Sequence, residues 1–186
     1  GSFHVKAGLL GRYFAVKMNA NFPQNGPRHG LPTIQGMVYL CDAWNGVPLA
    51  VMDSMSITAL RTAAASAVAA KYLAPRTCHT ALVCGCGGQA RAQLQALLAV
   101  RKPTRVLAFD QDAAKAEAFA KEEAAATVTR NLDEAVAASR IIITCTTARR
   151  YVIAREMVRP GTFIAAVGAD NEDKQEIDPA LLARAK

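Results

Sequence analysis

Aromatic side chains make up only 6% of this chain, and it holds one tryptophan and three histidines. A protein that grips single-stranded nucleic acid stacks bases on aromatic rings, and the chain has few to offer. The formal net charge of +7 is therefore read as a solvated basic face, or as attraction for anionic cofactors and substrates, and not as a nucleic-acid interface. Long apolar runs are missing as well. The most apolar stretches, residues 81–84 and 140–145, are the length of a strand, well short of the roughly 18 residues a membrane-spanning helix needs. Five cysteines stand at Cys41, Cys78, Cys84, Cys86 and Cys145. Their number is odd and their spacing matches no pair of zinc-ligand pairs, so no metal site is expected. Gly1-Ser2 reads as a remnant of cloning, nothing after it resembles a signal peptide, and the cytoplasm is the expected compartment. His4, His29 and His79 have no partner at a recognisable spacing and are expected at loops or strand edges.

What is present divides into two textures that meet near residues 73–80. The first half holds most of the Gly, Pro and Asn. Residues 11–18 make a candidate strand, followed by a loop over 19–30 rich in turn formers. Apolar runs at 36–42 and 47–53 flank Asn45-Gly46, which favours a tight antiparallel hairpin. Residues 58–73, rich in alanine and free of Gly and Pro, predict a helix stopped by Pro75. The second half alternates strands at 80–84, 105–109, 127–129, 140–145 and 162–167 with helices at 88–100, 112–126 and 132–138, and a helical turn at 155–158. Such alternation implies right-handed βαβ units and a parallel sheet. The expected fold is thus α/β: a Rossmann-type parallel sheet domain over residues 76–186, preceded at 1–75 by a partial α/β domain.

The chemistry is concentrated where strand passes into helix at Gly85-Cys86-Gly87-Gly88-Gln89-Ala90. In this G-x-G-x-x-A order, Gly85 makes the tight turn and Gly87 lets a pyrophosphate approach the backbone. Ala90 lets helix and strand pack closely. Free N–H groups at the helix N-terminus, with the helix dipole behind them, then hold the phosphates. Asp110 closes the next strand, about 20 residues on, where a carboxylate accepts hydrogen bonds from the adenosine ribose. It would repel the extra phosphate of NADP, so NAD is favoured and NADP is less so. Lys115, the nearest basic residue downstream, is read as too far along the next helix to argue for NADP.

Several stretches together resemble the ornithine cyclodeaminase and mu-crystallin family. They are Lys17, Gly30-Leu31-Pro32-Thr33 with Gly36, Gly46-Val47-Pro48-Leu49-Ala50, Asp53, Leu60-Arg61-Thr62-Ala63-Ala64-Ala65-Ser66, the glycine turn with Gln89, and Ala166-Val167-Gly168-Ala169-Asp170 with Lys174 and Glu176. The resemblance implies a Rossmann-type domain beside a domain that holds substrate and forms a homodimer. It implies NAD-dependent hydride transfer on a small α-amino or imino acid: ornithine to proline with ammonia release, or alanine dehydrogenase or ketimine reductase chemistry. Lys17 and Arg61 would then contact the substrate carboxylate. Thr33, Arg61, Gly88, Gln89, Asp110, Thr146, Val167, Gly168, Ala169, Asp170 and Lys174 would line the dinucleotide beside Gly85 and Gly87, and Asp170 would be the catalytic acid/base.

Elementary chemistry allows these roles. Asp170 follows the last parallel strand, at the carboxyl edge where such sheets bind ligands, and can take and return a proton there. Arg61 offers a fork for a carboxylate and Lys17 a point charge. Arg61 is expected among buried neighbours on its alanine-rich helix. Plainer readings stay open: Asp170 as a cap, one acid among Asn171-Glu172-Asp173, and Lys17 as a surface lysine. Family members are longer, so the resemblance also implies that the chain begins partway through the substrate domain, without a further substrate arginine, and stops before the family's return segment. A non-catalytic dinucleotide-binding protein or an inactive truncated member is the alternative.

Overall fold

A computed structural model describes all 186 residues and separates them into two compact units, Gly1–Leu60 and Arg61–Lys186. No helix is long and apolar enough to cross a membrane.

The first unit is an antiparallel meander of β1 (Ser2–Leu10), β2 (Tyr13–Asn21), β3 (Ile34–Asp42) and β4 (Pro48–Asp53), in that spatial order. β1 is an element the sequence reading did not include. It alternates Phe3, Val5, Ala7 and Leu9 on one face and turns into β2 through Gly11-Arg12, with Leu10 opposite Tyr13. The expected strand at 11–18 is shifted accordingly: Gly11, at φ +57°, belongs to the hairpin turn. The 19–30 loop is shorter than expected, because β2 runs to Asn21 and a short helix, α1 (Asn25–His29), ends on the left-handed Gly30. The Asn45-Gly46 hairpin does pair β3 with β4 antiparallel, but not through a tight turn. The loop spans residues 43–47, and only Gly46 takes positive φ. A two-residue type I′ turn needs positive φ at both central positions, and Asn45 does not adopt it. Asp42 holds this loop by accepting from the Trp44 backbone N–H at 2.9 Å and from Arg12. The Arg12 guanidinium, then the Trp44 N–H, keep the Asp42 carboxyl below its ordinary range.

The cross-strand register aligns Val5, Met18 and Met37, and beside them Ala7, Val16, Tyr39 and Val51, on one face of this sheet. That face is apolar and largely bare, with Phe3, Val5, Leu9 and Val51 each more than 60% exposed.

The division between units falls within α2 (Ser54–Leu73). Ala63, Ala67, Ala70 and Ala74 form its buried stripe, while Leu60, Val68, Tyr72 and Leu73 are exposed.

In the second unit every strand is parallel. β5 (Thr80–Cys84), β6 (Arg105–Phe109), β7 (Ala126–Val128), β8 (Ile141–Thr144) and β9 (Phe163–Ala166) lie in the order β7-β6-β5-β8-β9. α3 (Ala90–Val100), α4 (Ala113–Glu122) and α5 (Leu132–Ala138) provide the crossovers, and the short α6 (Pro179–Leu182) comes last. β5, β6 and β8 are apolar on both sides because helices cover both sides. Val83, Val106 and Ala108 pack with Ala90 and Leu94 of α3 and Phe119 of α4. Leu82, Leu107 and Ile142 pack with Ala135 and Val136 of α5. The chain leaves β5 in one direction and returns on its other side at β8. Open α/β sheets bind ligands in the crevice that this reversal opens at the strands' carboxyl ends.

Candidate functional site

The crevice between β5 and β8 holds a cavity of about 320 Å³ lined by Cys84, Gly85, Gly87, Asp110, Thr146 and Lys115, among others. Each wall follows from a local rule. Gly85 sits at φ +91°, and a Cβ there would come within 2.8 Å of the Cys145 carbonyl carbon. Both the turn and the close approach of the β8 end therefore require glycine. Gly87 is the opposite case: a Cβ on it would meet nothing within 4 Å. It faces open space, with room for a ligand to approach the backbone.

The helix start behind it is bare. α4, α5 and α6 each begin with a capping carboxylate or amide, from Asp112, Asn131 and Asp178. α3 has Gln89 at its N-cap with no side-chain cap; the Ala90 N–H turns back to the Gly87 carbonyl at 3.1 Å, and no side chain covers the rest of the helix start.

Asp110 reaches back to this turn. Its Oδ2 accepts from the Cys86 N–H at 2.8 Å and its Oδ1 from the Asp112 N–H at 2.9 Å. Two backbone donors thus fix the carboxylate at the cavity wall. Lys115 corrects the sequence reading. α4 starts at Ala113, so Lys115 lies in its first turn and lines the cavity, with its ammonium 3.8 Å from Asp112. Gln89 keeps its side-chain oxygen buried without a partner.

The far wall comes from the end of β8, through Cys145, Thr146, Thr147 and Ala148, while the expected residues after β9 lie beside it and outside the cavity lining. Thr146 follows β8, and Val167, Gly168, Ala169 and Asp170 follow β9. The Val167 N–H donates to the Thr144 carbonyl at 2.9 Å. Asp170 is exposed, and Lys174 Nζ donates to its Oδ1 at 2.7 Å. Three thiols stand near the cavity. Burial above all, with Glu176 the next cause for Cys84 and Cys145 and Asp110 for Cys86, pushes all three up to about 12.

Glu176 is the residue the sequence reading left without a role. It is 1% exposed and its carboxylate gathers donors from Thr144, Thr146 and Gly168. The available signal was weak: an acid in an acidic tail segment, 32 positions from its β8 partner.

The remaining expected residues sit elsewhere. In the first unit, Lys17 is partly buried on β2 and donates to Thr58 Oγ1, while Thr33 is exposed and its carbonyl accepts from the Phe22 N–H at 2.7 Å. Arg61, in the second unit, is exposed, and so are Leu60, Ala64 and Ala65. The expectation of buried neighbours for Arg61 is overturned because, past Ser54 at its start, α2 buries only Ala63, Ala67 and Ala70, in line with Ala74 just beyond its end. All three histidines are exposed.

The sequence profile of the ornithine cyclodeaminase/mu-crystallin family matches residues 3–186. An alanine dehydrogenase of Archaeoglobus fulgidus is 39% identical over 184 residues, covering 98% of this chain and 56% of that protein. Among solved structures, an archaeal alanine dehydrogenase dimer with bound NAD matches 99% of this chain and 58% of its own at TM-score 0.92 and 37% identity. A Δ1-pyrroline-2-carboxylate reductase of Thermococcus litoralis, in complex with NADH and L-proline, matches 98% of this chain and 62% of its own at TM-score 0.85 and 32% identity. The chain spans about half the length of the curated relatives it matches.

Proposed function

The chain belongs to the ornithine cyclodeaminase/mu-crystallin family, and on that premise we propose that it binds NAD(H) in the β5–β8 crevice and serves an NAD-dependent oxidoreductase acting on an α-amino or imino acid. The observation that carries this reading is the open backbone at Gly87, which lines the same cavity as Asp110. The residues present fit the dinucleotide: a bare helix start, a glycine with free space before it, and an anchored carboxylate. In this reading residues 76–186 form the NAD-binding domain and 1–75 the partial substrate-binding and dimerisation domain.

Gly85, Gly87, Gly88 and Gln89 would hold the pyrophosphate, and Asp110 the adenosine ribose. Thr146, Val167, Gly168, Ala169 and Lys174 would line the remainder, with Thr33 and Arg61. The dinucleotide, when bound, supplies the capacity to take or give a hydride at the substrate's α-carbon. Asp170 would accept the proton that the amine releases as its carbon becomes an imine, and return it in the reverse direction. Lys174 orients that carboxylate. Lys17 and Arg61 would contact the substrate carboxylate, a charge-assisted pairing in each case. Ring closure by a side-chain amine with loss of ammonia would make the product cyclic; without it the chemistry is that of a dehydrogenase or reductase.

The bare apolar face of the meander supports pairing with a second copy of the chain, in keeping with the dimer reported for the similar alanine dehydrogenase. All five cysteines are free, which supports a reducing compartment and hence the cytoplasm.

Titration calorimetry with NADH and NADPH tests the cofactor. Micromolar NADH binding is expected, with NADPH weaker because Asp110 opposes its extra phosphate; heat from neither removes the proposal. Incubation with NAD⁺ and alanine or ornithine, following NADH or proline, tests the chemistry. Turnover that disappears in Asp170→Asn supports the acid/base assignment, and turnover that persists refutes it.

A further inference from the structure

Glu176 presents a buried charge surrounded only by donors. Its Oε1 accepts from the Thr146 N–H at 2.6 Å and from Thr146 Oγ1 at 2.8 Å. Its Oε2 accepts from the Gly168 N–H at 2.7 Å and from Thr144 Oγ1 at 2.8 Å. Each oxygen therefore takes one backbone N–H and one hydroxyl. The side chain is held from behind by its own backbone, whose carbonyl accepts from Val152 at 2.9 Å and Ile153 at 3.0 Å. Burying a carboxylate costs several kcal/mol unless donors surround it, and here they do.

The donors come from two segments that the β8–β9 ladder joins only as far as the bond from the Val167 N–H to the Thr144 carbonyl. Thr144 and Thr146 lie at the end of β8, and Gly168 lies just past β9. Gly168 has room for nothing larger, since a Cβ would run into the Thr146 carbonyl and come within 2.6 Å of Glu176 Oε1. The carboxylate is thus a pin between Thr146, which lines the cavity, and Gly168 just past β9.

We propose that Glu176 is a positioning residue that sets the shape of the dinucleotide site by clamping Thr146 and Gly168 together. This rests on the cofactor reading above. It does not touch the ligand; it fixes the main chain that would.

The chemistry dictates a sharp perturbation. In Glu176→Gln one oxygen becomes an NH₂ group. A threonine hydroxyl can rotate to accept from it, but a backbone N–H cannot, so either orientation of the amide loses the Thr146 or the Gly168 bond. Ser139→Ala is the control. Ser139 is equally buried, its hydroxyl donates to the Ala135 carbonyl at 2.7 Å, and it lies at the opposite, amino end of β8.

The experiment measures melting temperature, NADH affinity by fluorescence, and amide exchange by NMR in wild type, E176Q and S139A. Both variants lose thermal stability. Only E176Q weakens NADH binding, on the order of tenfold, and only E176Q speeds exchange at Thr146 or Gly168. Wild-type affinity and exchange in E176Q overturn the clamp. If wild type itself binds no NADH, the cofactor reading falls and the exchange measurement alone decides the clamp. Should E176Q not fold, the wild type still decides: slow exchange at both amides supports the clamp, and rapid exchange at either overturns it.

Discussion

The two glycines of the 85–87 turn carry opposite demands, so substituting them separates folding from binding. Gly87→Val places a branched side chain where a Cβ meets nothing within 4 Å, and Gly87 does not require positive φ. The free protein should feel it little, within about 0.5 kcal/mol for an exposed substitution away from packed features. A bound pyrophosphate, by contrast, would have to share that space. Loss of the contact should cost about a hundredfold or more in NADH affinity, close to 3 kcal/mol.

Gly85→Ala inverts the pattern. Positive φ costs a non-glycine residue roughly 1–2 kcal/mol, and a Cβ 2.8 Å from the Cys145 carbonyl carbon adds overpacking of about 1–3 kcal/mol. The sum of roughly 2–5 kcal/mol should lower the melting temperature on the order of 5–15 °C for a chain of this size. Differential scanning fluorimetry with NADH titration reads both quantities on the same samples. A Gly87→Val protein that binds NADH as the wild type does would refute the assignment of that space to a phosphate. A Gly85→Ala protein of unchanged stability would refute the account of the turn.

Two further predictions concern the body of the second unit. Arg101 donates to the carbonyls of Lys71, Ala74 and Pro75 at 2.8, 3.1 and 3.2 Å, capping the end of α2. Arg101→Ala should cost about 2 kcal/mol, and a melting curve that does not move would contradict the cap. Burial pushes the Cys84, Cys86 and Cys145 thiols up to about 12, above the ordinary thiol value. The folded state therefore holds protons that the unfolded state releases from about pH 9 upward, so stability falls as pH rises between about 9 and 12. The slope is about 1.4 kcal/mol per pH unit for each thiol. Replacing the three with alanine or serine should flatten that alkaline limb in urea melts, and an equally steep limb would show another group responsible. The same protonation predicts slow labelling by thiol reagents at pH 7.5.

The second unit could be read from its residues because its rules are local. β5, the glycine turn and α3 are contiguous, and each small residue has a reason within a few positions of itself. β5, β6 and α5 fall where the alternation put them. The antiparallel meander was less legible. β1 carries a plain period-two pattern, Phe3-Val5-Ala7-Leu9, but the expected strand starts at Gly11, where the chain in fact turns. Asn45-Gly46 named the hairpin but not its length, because Asp42 and Arg12 stabilise a longer loop through a contact 30 positions apart. Arg61 misled for a related reason. An alanine-rich helix signals close packing but does not say on how many sides, and α2 buries a single stripe.

The site divides along the same line. The wall proposed to hold the phosphates is built by one stretch of chain, so a motif announces it. Its opposite wall is built by the end of β8, whose neighbour past β9 is set by sheet order and by the buried Glu176. No pattern in residues 144–176 signals that an acid near the C-terminus will meet two threonines and a glycine amide. The demand is nonetheless severe, since a carboxylate at 1% exposure is tolerable only where fixed donors meet it. Once the fold brings the loops together, any side chain without two strong acceptor atoms would leave the Thr146 or Gly168 N–H buried and unpaired, costing about 1–3 kcal/mol each. The acid is therefore dictated by the tertiary structure, and the local sequence around it neither requires nor reveals it.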